Sequence, residues 1–288
     1  TVESNVCHME ILLTNLKKCA SFVLMLAFLA ELAGGLLLFP LTAEAAIAVD
    51  ASTPVRFNGS PAEGVPITSA SFTAPANSVL IACVHGDDLD VPLTFTVADT
   101  GSLQWKLRAS RGFGEAGAVD GHVSVYTAVT TSAVARTVSV TRVEDSLGTD
   151  EISAKVYVVT GASTASPVAT VGEGSSVSNN ITPTLFNTSP NGSYAFVCGT
   201  DWNSNGVPVS SDLTVDGNDQ TGISSLAGYK ALTGASSQTA NLDAAGAAAA
   251  SWNWVALAVT PRSNLSKPPN NLGLVGYWNF NEATSTVA

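Results

Sequence analysis

Between Ile47 and about Pro261 the chain is a succession of short apolar runs separated by Gly, Asn, Asp, Pro and Ser. SVLIACV (Ser78 to Val84), LTFTVAD (Leu93 to Asp99), HVSVYTAV (His122 to Val129), TVSVT (Thr137 to Thr141), ISAKVYVV (Ile152 to Val159), SYAFVC (Ser193 to Cys198) and WNWVALAV (Trp252 to Val259) are rich in β-branched and aromatic residues. Each has the length and composition of a strand. In HVSVYTAV, Val123, Val125 and Val129 share one face while His122, Ser124 and Tyr126 share the other. The pattern predicts one packed and one wet face. No helical period intervenes, so strands follow strands and the sheets are antiparallel and packed face to face. The Ala-rich DAAGAAAAS (Asp243 to Ser251) has helical propensity, but Gly246 interrupts it and it is too short for a stable isolated helix; it reads as a loop leading into a strand.

Two of these runs are alike. NSVLIACVHGDD (Asn77 to Asp88) and NGSYAFVCGTDWNSNG (Asn191 to Gly206) each open on an Asn turn, carry one Cys near the end of an apolar run and leave into a carboxylate-bearing loop. The likeness continues: LQWKLRAS, HVSVYTAVTTSAVARTVSVT and ISAKVYVVTGAS follow the first, and SDLTVDG, LAGYKALTGASSQTANLD and WNWVALAVTPRS follow the second. The predicted architecture is all-β, a jelly-roll-like antiparallel β-sandwich whose strands come in two similar sets. Cys83 and Cys198 occupy like positions in those sets, which leaves two readings: a disulfide across the sandwich or two small buried hydrophobes.

Ahead of the β region lies a different pattern. Lys17 and Lys18 precede an apolar run from Cys19 to Phe39, then Pro40 and small residues with Ala43 and Ala45 at signal-peptidase spacing. Residues 1–46 read as a leader and secretory signal helix, cleaved after Ala45 or Ala46. The rival is a retained anchor, against which Glu31 stands in mid-run; either topology puts the remainder outside the cytoplasm.

Charge narrows the partners. The formal net charge is -11, from 23 acidic and 12 basic residues scattered along the chain, and no Lys/Arg block exists to neutralise a phosphate backbone. Nucleic-acid binding is therefore excluded as a reading, and contact with a membrane is expected only through an uncleaved N-terminal segment.

Three motifs carry a resemblance. TAPANSVLIACV, NGSYAFVCGTDWN and SWNWVALAV resemble a class of secreted β-sandwich modules found in large multidomain bacterial surface proteins, over roughly Val49 to Pro261. The class brings no catalytic residues with it. PRSNLSKPPNN is a linker by composition, giving a sandwich domain at 47–261 and a linker at 262–272. The following GLVGYWNFNE (Gly273 to Glu282) resembles the opening strand of the laminin-G or concanavalin A-like lectin sandwich. Residues 273–288 are too few to bury such a core and are expected to be its truncated start.

Chemistry is sparse. Asp201, Asn203, Asn205 and Asp212 stand at the first, third, fifth and twelfth places of DWNSNGVPVSSD, with Gly206 at the sixth, which is calcium-loop spacing. The competing reading is an Asx-rich turn bonded to its own backbone. Asp87, Asp88 and Asp90 crowd one loop and Asp216 and Asp219 another; both groups read as solvated loop acids. His85 and His122 have no nucleophile motif beside them and take turn and surface roles. Trp202, Trp252 and Trp254 are the candidates for stacking on a sugar face, with core packing the alternative for the pair on one strand. The sequence thus reads as an extracellular, non-catalytic module for adhesion or carbohydrate contact, with glycans or other surface proteins as partners and calcium as the one conceivable cofactor. The alternatives are an accessory part of a polysaccharide-active enzyme and a structural spacer.

Overall fold

The structure, a computed structural model, describes residues 46–87, 94–112, 121–143, 151–201, 207–219, 224–234, 236–245 and 251–262. All but the last residue of the segment expected to be a leader and signal helix, nearly all of the expected linker and the lectin-like stretch lie outside the described residues. Among the described residues there are 21 strands and no helix, as the sequence pattern predicts, and Glu44–Leu265 forms one compact unit.

The first half comprises β1 (Ala48–Val49), β2 (Phe57–Gly59), β3 (Ile67–Thr68), β4 (Phe72–Thr73), β5 (Ser78–Asp87) and β6 (Thr94–Asp99). It continues with β7 (Lys106–Arg111), β8 (Gly121–Thr130), β9 (Ala135–Arg136), β10 (Val138–Val143) and β11 (Ile152–Thr160). The second half comprises β12 (Val168–Ser176), β13 (Asn180–Ile181), β14 (Thr184–Phe186), β15 (Tyr194–Asp201) and β16 (Val207–Val209). After these come β17 (Thr214–Asp219), β18 (Ser224–Ala231), β19 (Gln238–Thr239), β20 (Leu242–Ala245) and β21 (Trp252–Val259).

Apart from β2, the strands of the two halves repeat each other in the same order. A large antiparallel sheet of order β1-β11-β5-β8-β7, with β2 also on β11, is matched by β12-β21-β15-β18-β17. The smaller sheets β3-β10-β6 and β13-β20-β16 correspond, as do the ribbons β4-β9 and β14-β19. The likeness of the Cys-bearing runs therefore marks a duplication of the whole topology.

Strand parity explains how the halves are joined. Val79, Ile81 and Cys83 of β5 share a core with Val123 and Val125 of β8, Tyr157 and Val159 of β11, and Phe196, Cys198, Val255 and Leu257 of the second half. Leu80, Ala82 and Val84, on the opposite face of β5, pack instead with Phe95, Val138 and Val140 of the first small sheet. Ala195, Val197, Trp252 and Trp254 do the same against Leu242, Leu185 and Phe186 in the second half. The body is four layers, with the two large sheets back to back in the middle and a smaller sheet outside each. Each buried aliphatic or aromatic side chain of this kind contributes about 1.5–3 kcal/mol of transfer free energy.

This corrects the two-layer expectation and, with it, the wet face assigned to β8. His122, Ser124 and Tyr126 are buried, because a strand covered on both sides has no solvent face. Asp87 ends β5 and Asp216 and Asp219 lie in β17, so none of the three is in a loop; Asp88 and Asp90 lie outside the described residues. The Ala-rich segment, expected as a loop leading into a strand, instead begins inside β20, which runs to Ala245; residues 246–250 lie outside the described residues.

Candidate functional site

Cys83 and Cys198 form a disulfide, Cα to Cα 5.6 Å, at the centre of the core between the two large sheets. Around it the contact between the sheets is aromatic: Tyr157 meets Phe196 and Tyr229 edge-on at 5.2 and 5.7 Å. Burial, with help from the Asp216 and Tyr229 charges, holds the Tyr157 hydroxyl far above its ordinary pKa. Toward one end the contact turns polar. His85 directs Nδ1 at the Ser153 carbonyl (3.3 Å) and Nε2 at the Leu226 carbonyl (3.2 Å). Arg56 donates to both the Ser153 and Ser225 hydroxyls, and Asn253 Nδ2 donates to the Gly121 carbonyl. His85 is therefore a contact between the two sheets and not the turn residue expected of it.

His122 is likewise internal. Its Nε2 lies 2.7 Å from Ser110 Oγ and 3.2 Å from Ser124 Oγ, and its ring stands edge-on to Phe95 at 5.5 Å. A serine hydroxyl and an imidazole at that distance have the spacing of a nucleophile and its base. Two things stand against that use. Nδ1 has no partner among the described residues, so no acceptor there orients the ring, and burial pushes the pKa down to about 4, which leaves a weak base.

The candidate residues of the sequence are dispersed. Trp252 and Trp254 are buried inside the second sandwich, Trp252 with Nε1 donating to the Asn179 carbonyl (3.2 Å), so neither offers a ring to a ligand. Trp202, Asn203 and Asn205 lie outside the described residues. Asp201 and Asp212 are described and are not brought together. Asp201 is fully buried at the end of β15, accepting from the Ser251 N–H at 2.7 Å. Asp212 takes the Lys230 ammonium at 2.7 Å, the Asn241 N–H at 2.9 Å and the Ser210 hydroxyl at 3.1 Å. Lys230 pairs with Ala195, whereas Asp201 pairs with Ser224, six residues further along β15 and, at the strand rise, roughly 20 Å away. One ion cannot be shared across that distance. For Asp212, burial alone would raise the pKa; the Lys230 and Asn241 bonds outweigh it and hold the carboxyl below its usual value. Among the described residues, no group of three or more His, Cys, Asp or Glu side chains converges on a metal position.

A more open site lies elsewhere. A groove of about 590 Å³ runs where β7, the margin of the first large sheet, approaches the Thr164–Val168 segment joining the halves. Ser102, Leu103 and Gln104 line one end, Lys106, Arg108 and Thr127–Val129 the floor, and Thr164, Ala165, Ser166, Pro167 and Val168 the far side. Its walls are fixed. Asp99 accepts from the N–H groups of Gly101 (2.7 Å) and Leu103 (2.8 Å) and from Trp105 Nε1 (3.3 Å), and is itself paired in the interior with Arg136 at 3.1 Å. Those bonds hold Ser102 at φ 56°, the tight corner that brings the turn up to the groove. On the far side the Ser166 and Pro167 carbonyls accept from the Thr260 hydroxyl (2.6 Å) and N–H (3.0 Å), pinning the segment to the end of β21.

The groove presents donors. Arg108 Nε donates to Thr127 Oγ1 at 2.6 Å; among the described residues its terminal nitrogens and the Lys106 ammonium have no other partner, and no carboxylate lines the groove. Sequence reasoning passed over this site, although three of the chain's 12 basic residues (Lys106, Arg108 and Arg111) fall within one six-residue strand of a strongly acidic protein. Comparison with protein-family models, with curated proteins and with solved structures finds no match to this chain.

Proposed function

We propose that this chain is a non-catalytic, extracellular β-sandwich module that contacts carbohydrate. The observation carrying the reading is the groove at the β7 margin: a preformed concavity of ligand size, lined by hydroxyls, an amide and two cations at the rim of a rigid four-layer body. Hydroxyl-rich ligands are held by convergent polar donors of this kind. The Cys83–Cys198 bond supports an oxidising compartment, and with it the reading of residues 1–46 as a signal helix or an uncleaved anchor. Within this proposal the body at 47–261 is a jelly-roll-like sandwich whose strands come in two similar sets, and the lectin-like resemblance of residues 273–288 supports a neighbouring glycan-contacting domain in a surface or secreted protein.

The test is glycan-array binding by the full chain and by Ala165→Trp, which fills the groove from its exposed side. The proposal expects saccharide binding that the substitution removes while the circular dichroism spectrum stays β-type. Binding that survives a filled groove, or no saccharide binding at all, would overturn it.

A further inference from the structure

The two halves carry the same irregularity in the same strand. In β7 the register against β8 shifts between Leu107 and Ala109, leaving Arg108 as the extra residue. In β17 the register against β18 shifts between Val215 and Gly217, leaving Asp216 as the extra residue. These positions are equivalent, since Cys83 lies opposite Val125 and Cys198 opposite Ala227, and those two residues face Ala109 and Gly217 respectively. A bulge re-aims its extra side chain, and both are aimed at a margin between the large sheets. In the second half the margin is occupied: Asp216 pairs with Lys155 at 3.2 Å, and Lys155 also donates to the Pro54 carbonyl at 2.9 Å. In the first half the corresponding margin is the open groove.

Resting on the carbohydrate reading above, we infer that this groove selects acidic saccharides, and that the bulged Arg108 sets the selectivity. Arg108 is anchored through Nε by Thr127, which fixes the plane of the guanidinium and leaves its outer edge for a carboxylate or sulfate. A planar fork held in this way engages two oxygens of one anion with little loss of side-chain freedom. Lys106, two residues away on the same strand, supplies a second cation. Thr164, Ser166 and Ser102 hydroxyls and the Gln104 amide serve the ring hydroxyls of the same ligand. A chain of net charge -11 repels polyanions in general, so attachment of one requires a local site.

Affinity electrophoresis of the full chain in dextran, dextran sulfate and polygalacturonate tests the inference. The expected result is retardation by one or both acidic polymers at least tenfold stronger than by dextran, weakening with salt. Arg108→Gln should lower it by roughly tenfold or more, as loss of a charge-assisted pair does, with Arg108→Lys intermediate. Which acidic polymer binds distinguishes sulfate from carboxylate, and either supports the inference. Equal affinity for dextran and dextran sulfate, lost in Ala165→Trp, would overturn the selectivity and leave the carbohydrate reading standing. Acidic binding unchanged in Arg108→Gln and Lys106→Gln, both retaining the disulfide by mass, would overturn the site. Retardation by none of the polymers would remove both readings.

Discussion

Cys83 and Cys198 hold the same place in the two halves and are bonded to each other. The bond lies within the core shared by the two large sheets, so one covalent link ties the halves together. It closes a separation of 115 residues, for which loop-closure entropy gives about 4–5 kcal/mol. The Cys83→Ser, Cys198→Ser double variant should lose roughly 2–5 kcal/mol in chemical denaturation. Because both cysteines are fully buried, thiol release from the native protein under reductant should keep pace with unfolding. Fast reduction without unfolding would contradict the placement of this bond.

The duplication was legible because core strands covered on both faces read as apolar runs, and two of those runs carried a Cys at like positions. Burial on both faces also hid the four layers. HVSVYTAV alternates as a half-wet strand does, yet His122 and Ser124 satisfy each other and Ser110 indoors, a solution that alternation cannot distinguish from solvent. The edge strand β12 went unread because Gly172, Gly174 and its serines lack β propensity; Gly174 is needed there, since a Cβ would fall 2.7 Å from the Trp254 ring. The Asp201 to Asp212 spacing misled because side-chain oxygens were counted without a direction, and the intervening fold sends the two carboxylates to opposite ends of a sheet. The groove escaped notice because its walls come from separate segments and its key side chain is turned by a bulge.

Stability should fall as pH drops from about 6.5 toward 4. His122 has its pKa lowered from 6.5 to about 4 by burial, so in this window the unfolded chain binds a proton that the folded chain does not. The contribution is full above the unfolded value and is lost as pH falls to the folded one, by about 1.4 kcal/mol per unit. His122→Gln should flatten that segment of the profile, measured as midpoint of urea unfolding against pH. An unchanged slope would show that His122 does not govern it.

Asp216→Asn should be destabilising although Asp216 is itself part-exposed. The ammonium left behind is that of Lys155, whose side chain is only 4% exposed and, among the described residues, retains the Pro54 carbonyl and the nearby Tyr157 ring. A loss of roughly 1–3 kcal/mol is expected. Lys155→Met together with Asp216→Asn should recover much of it, since no buried charge then remains. If the double variant were less stable than the single one by thermal melting, the ion pair would be a net stabiliser and this account would fail.

A tight contact between the two large sheets at Gly121 supplies the last prediction. Asn253 Nδ2 donates to the Gly121 carbonyl, and a Cβ on Gly121 would fall 2.9 Å from Thr200 Cγ2. Glycine there lets β8 lie against β15 and β21 without a side chain between them. Gly121→Val should force the sheets apart at this end, costing about 1–3 kcal/mol by overpacking. Thr200→Ser removes the methyl that a new Cβ would meet, so Gly121→Ala should be tolerated better in the Thr200→Ser background than alone. A double-mutant cycle with denaturation midpoints as readout measures that coupling; strict additivity would mean that the sheets do not meet at Gly121 and Thr200.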